Sequence, residues 1–415
     1  MAKKLSHIVK RHGRTPADHD VEIPVAEDLA SVPGIPMRED DVSFYSRTEP
    51  IEVNSIENSA DRDWAWTVYT PDVHSYLEGH YARMKPLIEK AASSADIEPT
   101  AQPEPGRDVT EDIRTMARSL GFGEVGFTRL DRRHVYKAKK QWAKYPHAIC
   151  LAYEQDYEST QTLPSLAAEE AHYGTYEIET ALGFDLADYI RDLGYRAQVY
   201  HPLDGSAVLI PMFVSAGLGQ LGANGQLLSP HFGSRARLMM ITTDAQVKHD
   251  EPQDYGIHNF CQKCQVCVNR CPARALVKEK VWYRGVEKNK VSYDRCRPVM
   301  ARYEGCGVCM KVCPIQKFGM MAVMEHCVAT GGILGKGTEA LEGYSLRDKG
   351  HFGPGEMPHF AREVFDFPRG RREDHLLQQF KKKVSAGDVP SPDELIDFAE
   401  TLREALDKSG EISEE

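Results

Sequence analysis

Ten cysteines punctuate this 415-residue chain, and eight of them fall between Cys261 and Cys313. The first run reads Cys261-x2-Cys264-x2-Cys267-x3-Cys271-Pro272. The second reads Cys306-x2-Cys309-x3-Cys313-Pro314, with Cys296 ten residues ahead of it. A Cys-x2-Cys-x2-Cys loop wraps three sulfurs around one iron–sulfur cubane, and the fourth cysteine of such a run ligates the other cluster. The spacing therefore predicts two [4Fe-4S] clusters with crossed ligands. One takes Cys261, Cys264, Cys267 and Cys313; the other takes Cys271, Cys296, Cys306 and Cys309, where Cys296 stands outside the tight run. Zinc, the competing reading, prefers two Cys-x2-Cys knuckles, a pattern that a triple run followed by x3-Cys-Pro fits poorly. Such clusters move one electron at a time. Cys150 and Cys327 are left over, and Cys150 in AICLAYE reads as an apolar strand filler.

The elements around this run divide the chain into four stretches. Residues 1–108 are an arm and linker: prolines recur at 16, 24, 33, 36 and 50, and SSADIEPTAQPEPGR over 93–107 reads as a spacer. A helical piece, YLEGHYARMKPLIEKAA, interrupts this arm. Residues 109–254 mix helices and strands. VTEDIRTMARSLGF carries helical spacing, and EVGFTRL, AICLAYE, AQVYH and ARLMMITTD read as strands. EIETALGFDLADYIRDLGY predicts an amphipathic helix whose apolar face holds Ile178, Leu182, Leu186, Tyr189, Ile190 and Leu193, stopped by Gly194. Residues 255–325 are the cysteine module, and 326–415 form an extension of Gly-rich loops and a charged helical tail.

Composition narrows the function. The chain is 41% hydrophobic and 27% charged, ordinary for a globular protein. No apolar run reaches the length of a membrane span, and the N-terminal stretch shows neither an apolar signal core nor a twin-arginine pair. Clustered cysteines without an export signal point to a reducing, cytoplasmic setting. A net charge of −11 argues against a protein whose main partner is nucleic acid. Gly217, Gly219 and Gly222 match a dinucleotide fingerprint, but Ala-Asn-Gly-Gln-Leu-Leu-Ser-Pro follows and cannot sustain the required helix. Glycines at this density instead permit tight turns or the approach of a large flat group.

Taken in order, YIRDLGYRA, AGLGQLGANG, a downstream TD and the two cysteine motifs resemble the cobamide-dependent iron–sulfur superfamily of reductive dehalogenases and epoxyqueuosine reductases. The likeness covers roughly 109–325 and is closer to the dehalogenases. It implies an α+β fold: a nitroreductase-like core that binds a base-off cobamide (cobalamin), with an appended bacterial-ferredoxin-like module holding the two [4Fe-4S] clusters. Gly217, Gly219, Gly222 and Asn224 would then touch the cofactor. An external low-potential donor, such as ferredoxin or flavodoxin, would reduce the clusters, and a small-molecule substrate would sit over cobalt. The dehalogenase acid, a tyrosine, falls on Tyr176, with Tyr173 as competitor. The cation that tunes it falls on Arg237, with Arg235 as alternate. The epoxyqueuosine reductases use an aspartate whose counterpart is Asp204. The resemblance thus implies a reductive dehalogenase; tRNA epoxyqueuosine reduction and a non-catalytic electron-transfer or cobamide-handling protein are the alternatives.

Overall fold

The computed structural model describes residues 7–10, 20–42, 60–136, 139–203, 206–368 and 372–410. Its centre is a four-stranded sheet in the order Glu124–Arg129, His147–Glu154, Ala236–Thr243 and Ala197–Tyr200, antiparallel at every pairing. These are the four stretches whose β-branched and aromatic residues predict strands. The central strand shows the period-2 rule. Ile149 and Leu151 face one layer, with Phe184, Leu186, Ile190 and Ile113. Ala148, Cys150 and Ala152 face the other, with Met212, Phe213 and Phe232. Cys150 is thus a small apolar filler, and burial pushes its thiol far above the usual range.

The first layer is dominated by the helix Leu166–Asp192, capped by Ser165, whose side chain accepts from the Ala168 N–H at 3.1 Å. Its buried stripe differs from the expected one. Leu186 and Ile190 are buried as expected, but Ile178 is 49% exposed, and Thr175, Glu179 and Gly183 are buried in its place. The helix is rotated by about one residue from the purely apolar reading, because a polar stripe faces inward along part of its length.

The segment that composition marked as a spacer is exposed over most of its length, but its start is anchored. Ser94 is fully buried; its hydroxyl accepts from Val199 N–H at 2.9 Å, and its carbonyl accepts from Arg191 at 3.0 Å. It satisfies polar groups at the end of the long helix and on an edge strand, which Pro/Ser/Glu content does not reveal. The helix Pro71–Ala92 also lies along the long helix, joined by Tyr76 Oη to the Glu170 carbonyl (3.0 Å) and by Arg83 to Glu177 (2.8 Å).

The cysteine stretch is built of short helices around a hairpin, Leu276–Tyr283 against Val286–Val291. Its core gathers Phe260, Val266, Val299, Val308 and Ile315, and draws in Ile23, Val25 and Leu29 from the N-terminal side. Buried Arg270 ties the Gly-rich extension down, donating to the carbonyls of Glu342 (3.1 Å) and Phe352 (2.9 Å). Several contacts join this stretch to the sheet unit. Arg235 donates to the Gln316 carbonyl at 2.6 Å, and Tyr157 Oη donates to the Lys317 carbonyl at 2.9 Å. Among the described residues no helix is long and apolar enough to cross a membrane.

Candidate redox and proton-transfer site

The helix Ile257–Cys264 presents Cys261 and Cys264, and a left-handed Gln265 (φ 56°) turns the chain so that Cys267 follows on a second short helix. Cys313 arrives from the far end of the module. Cys261, Cys264, Cys267 and Cys313 line one cavity, together with Asn224, Phe260 and Ile315. Burial and the neighbouring thiols push Cys267 well above the thiol range, and Cys261 up to about 12.

The second set forms likewise. Cys306 is repelled by Cys296 and Cys271, and Cys309 by Cys306, Cys296 and Cys271. Cys296, on the helix Tyr293–Arg302, therefore sits among these thiols despite its distance in sequence. The two sets also adjoin: Cys309 bears on Cys267, and Cys313 of the first set bears on Cys309. Buried soft donors in such numbers fit a polynuclear metal group, whose positive charge stabilises thiolates that burial otherwise forbids. Cys327, in contrast, is buried among Val323 and Met324 and belongs to the apolar core.

Tyr176 lies on the inward stripe of the long helix, and Arg237 lies on the strand beneath it. The guanidinium stands beside the phenol, close enough for its charge and hydrogen bonding to favour the phenolate. Burial is the larger effect, so the phenol stays protonated above the usual tyrosine range. The same Arg237 donates to the Ser234 carbonyl at 2.7 Å and approaches Met310 Sδ at 3.9 Å, next to Cys309. It therefore joins the tyrosine to the cysteine module. Arg235, the alternate, is spent on structure: it bonds Glu154 at 2.8 Å as well as the Gln316 carbonyl. Tyr173 is raised well above the tyrosine range by burial and packs between the His80 and His172 rings, at 4.7 and 4.6 Å. Asp204 lies outside the described residues.

The glycines behave differently from Asn224. A Cβ on Gly217 would sit 2.6 Å from the Glu251 carbonyl oxygen, one on Gly219 would strike the Leu228 carbonyl, and one on Gly222 would meet Asn224 Oδ1 at 2.7 Å. The missing side chains are used by the protein's own backbone. Gln220–Leu221 pairs with Leu227–Leu228 as a small hairpin, so no helix opens at the third glycine. Asn224 alone of the four reaches the cavity of the first cysteine set, where its buried Nδ2 has no protein partner.

Three groups escaped the sequence reading. Glu169 and His172 are joined at 3.1 Å, and the His172 ring meets Tyr176 edge-on at 4.7 Å. Glu179 is fully buried, faces Arg237, and has no hydrogen-bond partner for either carboxyl oxygen, so burial holds it protonated. Glu169, His172, Tyr176, Glu179 and Gly183 follow helical spacing, and that polar stripe was the available signal. Buried polar atoms without protein partners continue along 224–237, at Asn224 Nδ2, Gln226 Oε1, Ser234 Oγ and Arg237 Nε. Orphans so concentrated indicate a polar ligand rather than a dry core.

No family model matches the chain. A tetrachloroethene reductive dehalogenase of Desulfitobacterium hafniense is 31% identical over 200 residues, covering 44% of this chain and 36% of that protein. An epoxyqueuosine reductase of Lactococcus garvieae is 30% identical over 254 residues, covering 51% of this chain and 70% of that protein. The chain belongs to the superfamily of reductive dehalogenases and epoxyqueuosine reductases. Within this superfamily it spans about a third of the length of the dehalogenases it matches. A reductive dehalogenase structure described as suggesting a mechanism for B12-dependent dehalogenation superposes with a TM-score of 0.58 at 20% identity, over 74% of this chain and 46% of that one. The superfamily fold therefore extends beyond the alignable sequence.

Proposed function

We propose that the chain is a cobamide-dependent iron–sulfur reductase that replaces halogen by hydrogen in an organic substrate. The observation that carries this reading is Tyr176 beside Arg237, with Arg237 also reaching Met310 next to the second cysteine set. Residues 109–254 are read as a nitroreductase-like cobamide-binding core, and 255–325 as the ferredoxin-like module. The remaining stretches, 1–108 and 326–415, flank them. When bound, the base-off cobamide supplies a strongly reducing cobalt centre, and the two [4Fe-4S] clusters supply electrons singly. Asn224, Gln226, Ser234 and Glu179, whose buried polar atoms lack protein partners, would pair with the cofactor's polar periphery.

Overall, two electrons and one proton replace the carbon–halogen bond by carbon–hydrogen and release halide. Tyr176 holds the proton at its hydroxyl at neutral pH, since burial disfavours the phenolate. Arg237 stabilises the phenolate once the proton has left. His172, paired with Glu169 and edge-on to the phenol, fixes the ring. Anaerobically reconstituted protein with a low-potential donor should release halide, and Tyr176→Phe should lower kcat by roughly 10²–10⁴-fold without altering the cobamide spectrum. Activity untouched by that substitution would reject the tyrosine.

The epoxyqueuosine reductase of which this chain covers 70% supports a second reading, reduction of epoxyqueuosine in tRNA. Asp204 is its candidate acid. A deletion strain lacking queuosine would favour it; normal queuosine would remove it.

A further inference from the structure

The hairpin 276–291 between the cysteine runs carries five basic residues against two glutamates, in a chain of net charge −11. The basic residues are crowded together. Lys290 Nζ lies 3.7 Å and Lys288 Nζ 5.3 Å from the centre of the Tyr283 ring, and Arg38 lies 4.1 Å over Trp282. Among the described residues, Lys278, Lys280, Lys288 and Lys290 make no ion pair with a carboxylate. Glu287 is engaged by His258 at 2.9 Å. Like charges held this close raise the energy of the free surface, and an anionic partner relieves it. The patch is not only cationic: Val277 and Val281, on the face that carries Lys288, are 37% and 41% exposed. An apolar centre with a charged rim is the composition of a protein-docking surface.

Its position is the second observation. Gln262, between Cys261 and Cys264, donates to the Lys278 carbonyl at 3.2 Å, and Lys280 is near enough to Cys261 to act on its thiol. The hairpin thus abuts the first cysteine set, whereas Tyr176 stands beside the second through Arg237 and Met310.

We propose that this hairpin docks a small acidic one-electron carrier protein, which reduces the cluster held by Cys261, Cys264, Cys267 and Cys313. The inference rests on the iron–sulfur part of the proposed function. One electron leaves the reduced carrier and enters one oxidised cluster; no bond forms or breaks.

The test uses the full reconstituted chain, a reduced plant-type [2Fe-2S] ferredoxin and, separately, dithionite. Cluster bleaching is followed by stopped flow at several salt concentrations, and affinity for oxidised ferredoxin is measured by calorimetry. Lys278→Glu, Lys288→Glu and Lys290→Glu combined should lower the ferredoxin rate and affinity about tenfold or more and flatten the salt dependence. Dithionite bleaching should stay unchanged. The milder Lys278→Gln with Lys290→Gln should move both in the same direction by less, which guards against misfolding of the triple variant. A ferredoxin rate equal to wild type, or independent of salt, overturns the docking surface. So does a loss confined to binding of a tRNA stem-loop, which would make the patch an RNA surface. Clusters that dithionite cannot bleach would instead overturn the iron–sulfur reading, and the docking inference with it.

Discussion

The cysteine stretch and the tyrosine–arginine site are built on opposite principles. In the first, seven of the eight candidate ligands lie in two tight runs, and helices of four to eight residues bring them together. In the second, Tyr176 comes from a 27-residue helix and Arg237 from an eight-residue strand, and they meet only because helix and sheet pack. Local spacing can specify a metal site almost alone. A proton-transfer pair across two layers requires the whole core to be right. Damage to the first should therefore remove a cofactor, and damage to the second should change a rate.

The sharpest way to break that contrast is to remove single thiols. Cys267→Ser and Cys309→Ser act on different sets, so each should cost about half of the bound iron and abolish turnover. Iron and sulfide analysis checks this. Equal loss of all iron in both variants would mean that the sets are not independent sites.

A smaller effect probes the sheet. Glu124 is buried on the first strand and hydrogen-bonded to Ser229, and burial pushes its carboxyl up to about 8 from an ordinary 4.5. Its folded form favours the proton. The stability it contributes is fully present below pH 4.5 and is lost as pH rises through about 8. Urea unfolding at several pH values should show a decline on the order of a few kcal/mol, and Glu124→Gln should flatten it. An unchanged slope would place the titration elsewhere.

The smallest change addresses the seam between the regions. Gly233 has φ +56°, and a Cβ there would stand 2.7 Å from Gln316 Cα, where the sheet unit meets the cysteine module. Gly233→Ala should cost roughly 1–3 kcal/mol, lowering Tm while leaving iron content intact. Loss of iron instead would show that the seam also shapes the clusters.

Much of this was legible in the residues. All four strands of the sheet and the long helix follow from periodicity. Cys296, isolated in sequence, lies near Cys271 and Cys306. The helix face was misread because Glu179 and Thr175 point inward, a choice that depends on Arg237 some sixty residues away. The anchoring of Ser94 at the start of the spacer was missed because its partners, Val199 and Arg191, are not visible locally. Gly217, Gly219 and Gly222 are each also required by a close approach within the protein, to Glu251, Leu228 and Asn224.

The central claim, that clusters and a cobamide share this chain, is tested most directly by metal content after anaerobic reconstitution with iron, sulfide and cobalamin. The account predicts about eight irons and about one cobalt per chain, with the visible spectrum of a base-off corrinoid. Iron without cobalt, after cobalamin has been supplied, would contradict it.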